Sequence, residues 1–500
     1  MKKNHALPLL IAGALLGALT TAHADEYQFR HYISGLKPAP ASVPEEPTEP
    51  EVTWELTSAT LLDATVGKAY NYSFYDLVTP ASLDGFQWAG SGLPTWASLD
   101  WSTGELTGTP SKSDVGEKSF AITASRKGVN GQQIYTIQVA GQYLEVTQIG
   151  SGEYYNCALT TDSAVKCWGE GRYGQLGNGS FTNSSTPVSV LGLSAGVTTL
   201  STGQRHACAL TSSGAAKCWG NNSTGALGDG TQNNSAKPVS VTGLTSGVTS
   251  ISAGYYQTCA ITAGASVKCW GTGSLGQLGN GSNTSSFTPT SVSGLNSGVI
   301  QISSGNAHVC ALVTGGAVKC WGYNLYGQVG SGETSTSVKT PVTVTGLSSG
   351  VAAISSGGYQ TCAITTGGAA KCWGYNTYGQ LGNGATTNSY TPVSVSGLSS
   401  GVKSIAGGGY HFCAITTGGA AKCWGYNSHG QLGNAGTADS ALPVTASVLG
   451  SNVTSISTGS YHTCAITTDN TAKCWGRNDR GQLGDATTTN SLTPVHVLAK

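Results

Sequence analysis

The chain has 500 residues, of which 10% are charged and 72 are glycine, and its 24 basic residues balance its 24 acids to a net charge of zero. Gly, Ser, Thr and Asn dominate, with Val, Ile, Tyr and Trp at intervals, which excludes a mainly helical protein and favours short strands joined by tight turns. Residues 25–143 carry 7 basic against 14 acidic residues, and residues from 144 onward 15 against 10. Neither is the clustered basic footprint of a nucleic-acid binder, so no nucleic-acid partner is expected.

Met1-Lys2-Lys3 is a basic start, Leu7 to Leu19 an apolar run, and Ala22-His23-Ala24 a small-residue cleavage site. Residues 1–24 therefore read as a signal peptide, with Asp25 as the mature start. The apolar run is too short and wrongly flanked for a transmembrane helix, so no membrane insertion is expected. No cysteine precedes residue 157 to take a lipid. The expected product is exported: periplasmic, cell-surface or extracellular. Residues 25–51 are a Pro/Glu-rich leader and linker. Glu26 to Tyr32 alternates like a single strand, and Pro38, Pro40, Pro44, Pro47 and Pro50 follow. Prolines at that density favour extended polyproline geometry, a semi-rigid spacer, with an unstructured leader as the alternative.

Residues 52–141 are a separate unit without cysteine, in which β-type runs (69–75, 119–124 and 133–139) alternate with Gly, Asp and Pro turns. The motifs Gly92-Leu93-Pro94-Thr95-Trp96, then Thr103-Gly104-Glu105-Leu106-Thr107-Gly108-Thr109-Pro110, then Asp114-Val115-Gly116, resemble the immunoglobulin-like family of bacterial surface proteins. The resemblance covers nearly the whole segment and implies a β-sandwich. No acidic cluster at calcium-ligand spacing accompanies it, so a spacer domain is expected.

Residues 142–500 repeat one unit seven times. It reads Gly-Val-x-x-Ile, then Cys-Ala-Ile-Thr, a turn, Lys-Cys-Trp-Gly, Gly-Gln-Leu-Gly, a polar loop, Pro-Val-x-Val and a Gly-Leu linker. The first cysteines are 51 residues apart, with one step of 52. Such a period signals a repeat architecture. Four short strands fit in each unit, and one such sheet cannot bury both faces, but seven arranged radially can. The expected fold is all-β: a seven-bladed β-propeller behind an N-terminal immunoglobulin-like β-sandwich. The Cys-Ala-Ile-Thr, Trp-Gly and Gly-Gln-Leu-Gly signatures resemble the regulator of chromosome condensation family across all seven units, which implies the same seven-bladed ring. Residues 144–149 and Pro494 to Val497 would meet where that ring closes, and the sequence leaves open whether one blade mixes strands from both ends.

Each repeat holds two cysteines ten residues apart: Cys157 and Cys167, Cys208 and Cys218, Cys259 and Cys269, Cys310 and Cys320, Cys362 and Cys372, Cys413 and Cys423, Cys464 and Cys474. In a hairpin centred on the intervening turn such residues face each other across antiparallel strands, about 4.5–5.5 Å apart at Cα, within disulfide reach. An even count in an exported chain predicts seven structural disulfides. Zinc would need closely spaced pairs converging on one centre, whereas these are spread one per blade.

Recurrence separates scaffold from surface. The tryptophan after each second cysteine, Trp168 to Trp475, is expected to fill the gap between blades. The lysine before each second cysteine, Lys166 to Lys473, is expected to lay its stem along that tryptophan with the ammonium in solvent. Two residues before each first cysteine stand Tyr155, His206, Gln257, His308, Gln360, His411 and His462. They have no recurring acidic partner and are read as strand-end hydrogen-bonding groups rather than as catalysts or ligands. The variable positions lie after Trp-Gly. If those loops share a face, Tyr323, Tyr326, Tyr375, Tyr378, Tyr426 and His429 make an aromatic patch beside Arg477 and Arg480, suited to a partner, unless the tyrosines only pack on neighbouring loops.

No activated nucleophile, paired carboxylate, metal motif or cofactor site stands out, so no enzyme activity and no cofactor are expected. The resembled family implies guanine-nucleotide exchange on a small GTPase, but export and uniform repeats without a protruding wedge argue against it. The leading expectation is a monomeric exported recognition protein, adhesin-like, binding a protein or glycan. A secreted enzyme inhibitor and a polysaccharide-active propeller enzyme are the alternatives.

Overall fold

A computed structural model describes residues 54–499 except 80–84, 112–113, 115 and 141. The signal peptide and the leader expected over residues 1–51 lie outside the described residues.

The N-terminal unit is a β-sandwich. Its larger sheet places Val129–Ala140 between Ala64–Thr65, to which it runs parallel, and Gly116–Arg126, which in turn pairs with Gln87–Ser91. The facing sheet joins Tyr70–Ser73, Glu105–Gly108 and Ala97–Leu99. Alternation along the long strands sends Phe120, Ile122, Tyr135 and Ile137 inward. They meet Phe74, whose ring lies 4.9 Å from that of Tyr135.

Behind it come seven four-stranded antiparallel sheets, each a meander of consecutive strands. Blade 1 is Val146–Ser151, Tyr155–Thr160, Val165–Gly169 and Ser184–Ser189, and blade 7 is Val453–Thr458, His462–Thr467, Ala472–Gly476 and Ser491–His496. No blade mixes strands from the two ends. The first strands run innermost and their ends line a central shaft, while the fourth strands are half-exposed at the rim. The shaft is narrow because a glycine follows each first strand closely. A Cβ on Gly152, Gly203, Gly254, Gly305, Gly357, Gly408 or Gly459 would come within 2.7 Å of the matching carbonyl oxygen of the next blade.

All seven expected disulfides are formed. Cys157 is bonded to Cys167, Cys208 to Cys218, Cys259 to Cys269, Cys310 to Cys320, Cys362 to Cys372, Cys413 to Cys423, and Cys464 to Cys474. Each pair is directly opposed in the register of its hairpin, as Cys157 is to Cys167 and Cys464 to Cys474. One expectation is corrected. The Cα atoms of the bonded residues lie only 4.0–4.1 Å apart, closer than the spacing expected for an opposed pair, because the disulfide draws the two strands together.

Each tryptophan, one residue on, points away from its own disulfide. Seven cores result, each between two blades and each combining the disulfide of one with the tryptophan of the next. Cys157 and Cys167 pack with Trp219, Cys208 and Cys218 with Trp270, Cys259 and Cys269 with Trp321, and Cys310 and Cys320 with Trp373. The series runs on through blades 5 and 6 until Cys464 and Cys474 pack with Trp168. Every indole is fully buried and its Nε1–H donates 2.8–3.0 Å to a carbonyl in the preceding blade, as Trp424 does to Gln380. The tryptophans therefore fill the gaps between blades and hold them together. The recurrent lysines are half-buried and form no ion pair among the described residues.

Candidate functional site

Each Trp-Gly glycine sits at φ between +99° and +108°, which side chains rarely adopt. The strand register shifts there and, except in blade 4 where pairing continues to Asn324, the chain leaves the sheet into the variable loop. A buried asparagine then pins the loop in blades 2 and 4 to 7. Asn376, for example, accepts from Leu381 N at 2.8 Å and donates to Ala385 O and Thr387 O at 3.0 and 2.9 Å. Next the glutamine of Gly-Gln-Leu-Gly turns back, Gln380 accepting from Tyr378 N at 2.8 Å. The side chains between these fixed points are presented on a rigid base.

Those loops do share one face, and all eight residues singled out in the sequence are on it. Tyr326 and Tyr375 have ring centroids 5.0 Å apart, Tyr378 and Tyr426 4.9 Å, and Tyr426 and His429 6.4 Å. The rings pack on one another and stay half-exposed, so inter-loop packing and an accessible patch hold together.

The sequence reading missed a second row. Three residues before the first cysteine stand Tyr154, Arg205, Tyr256, Ala307, Tyr359, Tyr410 and Tyr461, in the loop between the first two strands. Tyr359 inserts between Tyr326 and Tyr375 at 5.6 and 6.5 Å, and Tyr410 between Tyr378 and Tyr426 at 6.1 and 6.2 Å. Tyr461 reaches His429 at 5.7 Å and Tyr154 at 5.8 Å. A continuous aromatic belt thus runs from blade 4 to blade 1. The available signal was tyrosine at five of the seven equivalent positions, which recurrence alone assigns to scaffold.

The belt ends in charge. Arg477 lies 5.0 Å over Tyr154 and 5.5 Å over Tyr461 while forming a two-point pair with Asp479, both bonds 2.8 Å. Arg480 is exposed, 4.0 Å from Asp479. Arg205 bonds Glu153 at 2.8 Å and covers Tyr173 and Tyr255 at 5.2 and 5.3 Å. Burial raises the Glu170 carboxyl, against the pull of Arg172 at 2.9 Å. Burial also pushes the Tyr410 hydroxyl up to about 12, and burial with the nearby Arg477 lowers His429, so both are neutral at pH 7. The face is a surface of aromatic hydroxyls bordered by largely paired arginines.

The seven polar residues two before the first cysteine are all fully buried. His206, His308 and His411 contact Thr258, Thr361 and Thr463 of the next blade through Nε2 at 2.8–2.9 Å, and His462 contacts Asn156 at 3.0 Å. Each threonine hydroxyl already donates to a carbonyl, such as Thr463 to Gln431 O at 2.8 Å, so the histidine donates from Nε2. Gln257 and Gln360 reach shaft carbonyls instead, and Tyr155 donates to Gly203 O and His206 O. They serve as inter-blade ties.

A sequence profile of the RCC1-like domain matches residues 196–500, and profiles of the regulator of chromosome condensation (RCC1) repeat match 164–210 and 146–175. A profile of an Ig domain matches residues 37–140. The ultraviolet-B receptor UVR8 of Arabidopsis thaliana is 30% identical over 347 residues, 68% of this chain and 79% of the receptor. The human E3 ubiquitin-protein ligase HERC2 is 33% identical over 65% of this chain, which spans only 7% of that ligase. Among solved structures, yeast RCC1 (Prp20) bound to Kap60 superposes with a TM-score of 0.60 at 21% identity, covering 72% of this chain and 86% of that one. Human WBSCR16 gives 0.58 at 23% identity, over 69% and 92%. At such identities these two speak for the fold alone.

Proposed function

The chain belongs to the RCC1-like domain family, and we propose that it is an exported, non-enzymatic recognition protein whose loop face binds a protein partner. The observation that carries this reading is the convergence of both variable loop rows into one aromatic belt on a rigid ring, flanked by arginines. Half-exposed tyrosines with few rotatable bonds and arginines stacked on them are the residues that dominate protein interfaces. The ligase HERC2, of which this chain spans 7%, acts on proteins by its name, and that supports a protein rather than a metabolite as the partner class. The signal-type N-terminus and the disulfides support export, and an adhesin or an inhibitor of an enzyme would both use the same face. Among the described residues no group of three or more His, Cys, Asp or Glu side chains could hold a metal ion, and no helix is long and apolar enough to cross a membrane.

The test begins with the mature chain, expected to start at Asp25, as bait in envelope extracts, followed by affinity measurement with the captured protein. Replacing Tyr375 and Tyr426 by alanine should weaken that complex by at least tenfold while leaving the unfolding temperature within a few degrees. Undiminished affinity in this double variant would remove the face from consideration.

A further inference from the structure

Inside the belt the face dips into a funnel of about 380 Å³, within the range of small-molecule sites, about 300–1,000 Å³. Gln204, Asn306 and Ser460 line both the funnel and the shaft, and so form its floor. Tyr255 and Tyr256 of blade 3 stand on one side, with Tyr359, Tyr410 and Tyr461 of blades 5 to 7 on the other. Towards blade 4 the lining is Ala307, at the position where five repeats carry tyrosine, with Leu275 and Gln277 of the blade 3 loop.

The lining selects its ligand by exclusion. Its acid, Glu153, is bonded to Arg205 at 2.8 Å, so there is no free charge to hold an ammonium, a guanidinium or a carboxylate. An aliphatic or phenyl anchor would bury the amides of the floor without partners, at a cost of about 1–3 kcal/mol for each. Gln204 donates its Nε2–H to Asn306 Oδ1, which leaves Gln204 Oε1 and Asn306 Nδ2 as an acceptor beside a donor. Neighbouring hydroxyls, each able to donate and accept, satisfy such a pair. Tyrosine walls supply flat, weakly polar faces for the C–H side of a ring.

We propose that the funnel is a saccharide site for a neutral terminal sugar, the ring held between the tyrosine walls and adjacent hydroxyls bonded to Gln204 and Asn306. The proposal rests on this face being the recognition face, but not on the protein partner. The experiment titrates the mature chain with maltose, cellobiose, lactose and N,N′-diacetylchitobiose, read by saturation-transfer NMR and calorimetry. At least one should bind in the millimolar range or tighter. Asn306→Ala, which removes the donor, and Ala307→Tyr, which installs the residue other repeats carry there, should each weaken it tenfold or more at unchanged unfolding temperature. Silence from all four sugars overturns the proposal, as does a sugar whose affinity neither funnel variant alters. If the sugars are silent while the double variant still loses its protein partner, the saccharide site falls and the protein-binding face stands. If sugar binds as expected while the protein complex ignores the double variant, the protein reading falls instead.

Discussion

His411 and its counterparts show what one buried side chain does in a repeated environment. With Nε2–H committed to the next blade, the Nδ1 atoms of His206, His308, His411 and His462 are buried without a partner, so a second proton has nowhere to be shared. Burial accordingly lowers their pKa to about 4 for His206 and about 3 for the other three. In the unfolded chain they titrate near 6.5. Their contribution to stability is therefore complete above about pH 6.5 and is lost as pH falls toward the folded values. Denaturant unfolding with the disulfides intact should show stability falling from about pH 6.5 to 4, by up to about 1.4 kcal/mol per pH unit for each histidine. His411→Gln, the residue used in blades 3 and 5, should remove about a quarter of the share these four contribute, His496 being lowered to about 4 as well, and a flat profile would contradict the assignment. The pairing was legible in the sequence. Where a blade carries histidine the next blade carries Thr258, Thr361, Thr463 or Asn156, and where it carries Tyr or Gln the next carries Ala207, Val309 or Phe412. Reading each repeat singly hides this correlation, because the partner is one blade away.

Between elements, adjacent residues on one strand serve two different cores. Cys423 faces the core with Trp475, and Trp424 faces the core with Cys362 and Cys372. The sulfurs are fully buried, so reductant should reach them only through unfolding. Intact mass should show no free thiol in the native protein and a gain of fourteen hydrogens after reduction in denaturant; thiols titratable in the native state would contradict the pairing. Replacing both Cys413 and Cys423 by alanine should cost about 2–4 kcal/mol in chemical denaturation, without opening the hairpin, whose strands remain paired from His411 to Ile415.

At the scale of the whole molecule, the ring closes through the chain that enters it. Leu193 and Leu244, in the linkers after blades 1 and 2, accept backbone bonds from Val165 and Ala216 at 2.9 Å. Behind blade 7 the same part is played by Leu144, which accepts from Ala472 at 3.1 Å, donates to Val497 at 2.9 Å and is buried in the core between blades 7 and 1. Tyr143 stacks on His496 with centroids 3.7 Å apart. The expected meeting of the ends is found: Leu144, Val146 and Ile149 share a core with Val495 and Val497, Tyr143 pairs with Leu498 just outside the expected stretches, and residues 146–151 open blade 1. The last strand of the sandwich, Val129–Ala140, runs almost directly into this latch, so the sandwich is continuous with the ring's closure. Leu144→Ala should cost about 2–5 kcal/mol as a core truncation, and a propeller beginning at Val146 should lose more, since both backbone bonds go with it. Equal thermal stability of that shortened ring and the full chain would refute the latch.

Sequence alone determined the parts that every repeat must satisfy: the 51-residue period, the opposed cysteines, the tryptophan aimed away from them and the β-rich class. These follow from alternation along a strand and from the need of each sheet to bury two faces, which are local properties repeated seven times. Tertiary structure decided what depends on neighbours around the circle. It joined two loop rows, separated in sequence by some fifteen residues, into one belt, because the turn after the first strand and the loop after the third emerge at the same end of each meander. It also set Ala307, where five repeats carry tyrosine, into the wall of a funnel. A missing side chain has no signature in a linear sequence, and becomes a feature only when the remaining tyrosines stand around it.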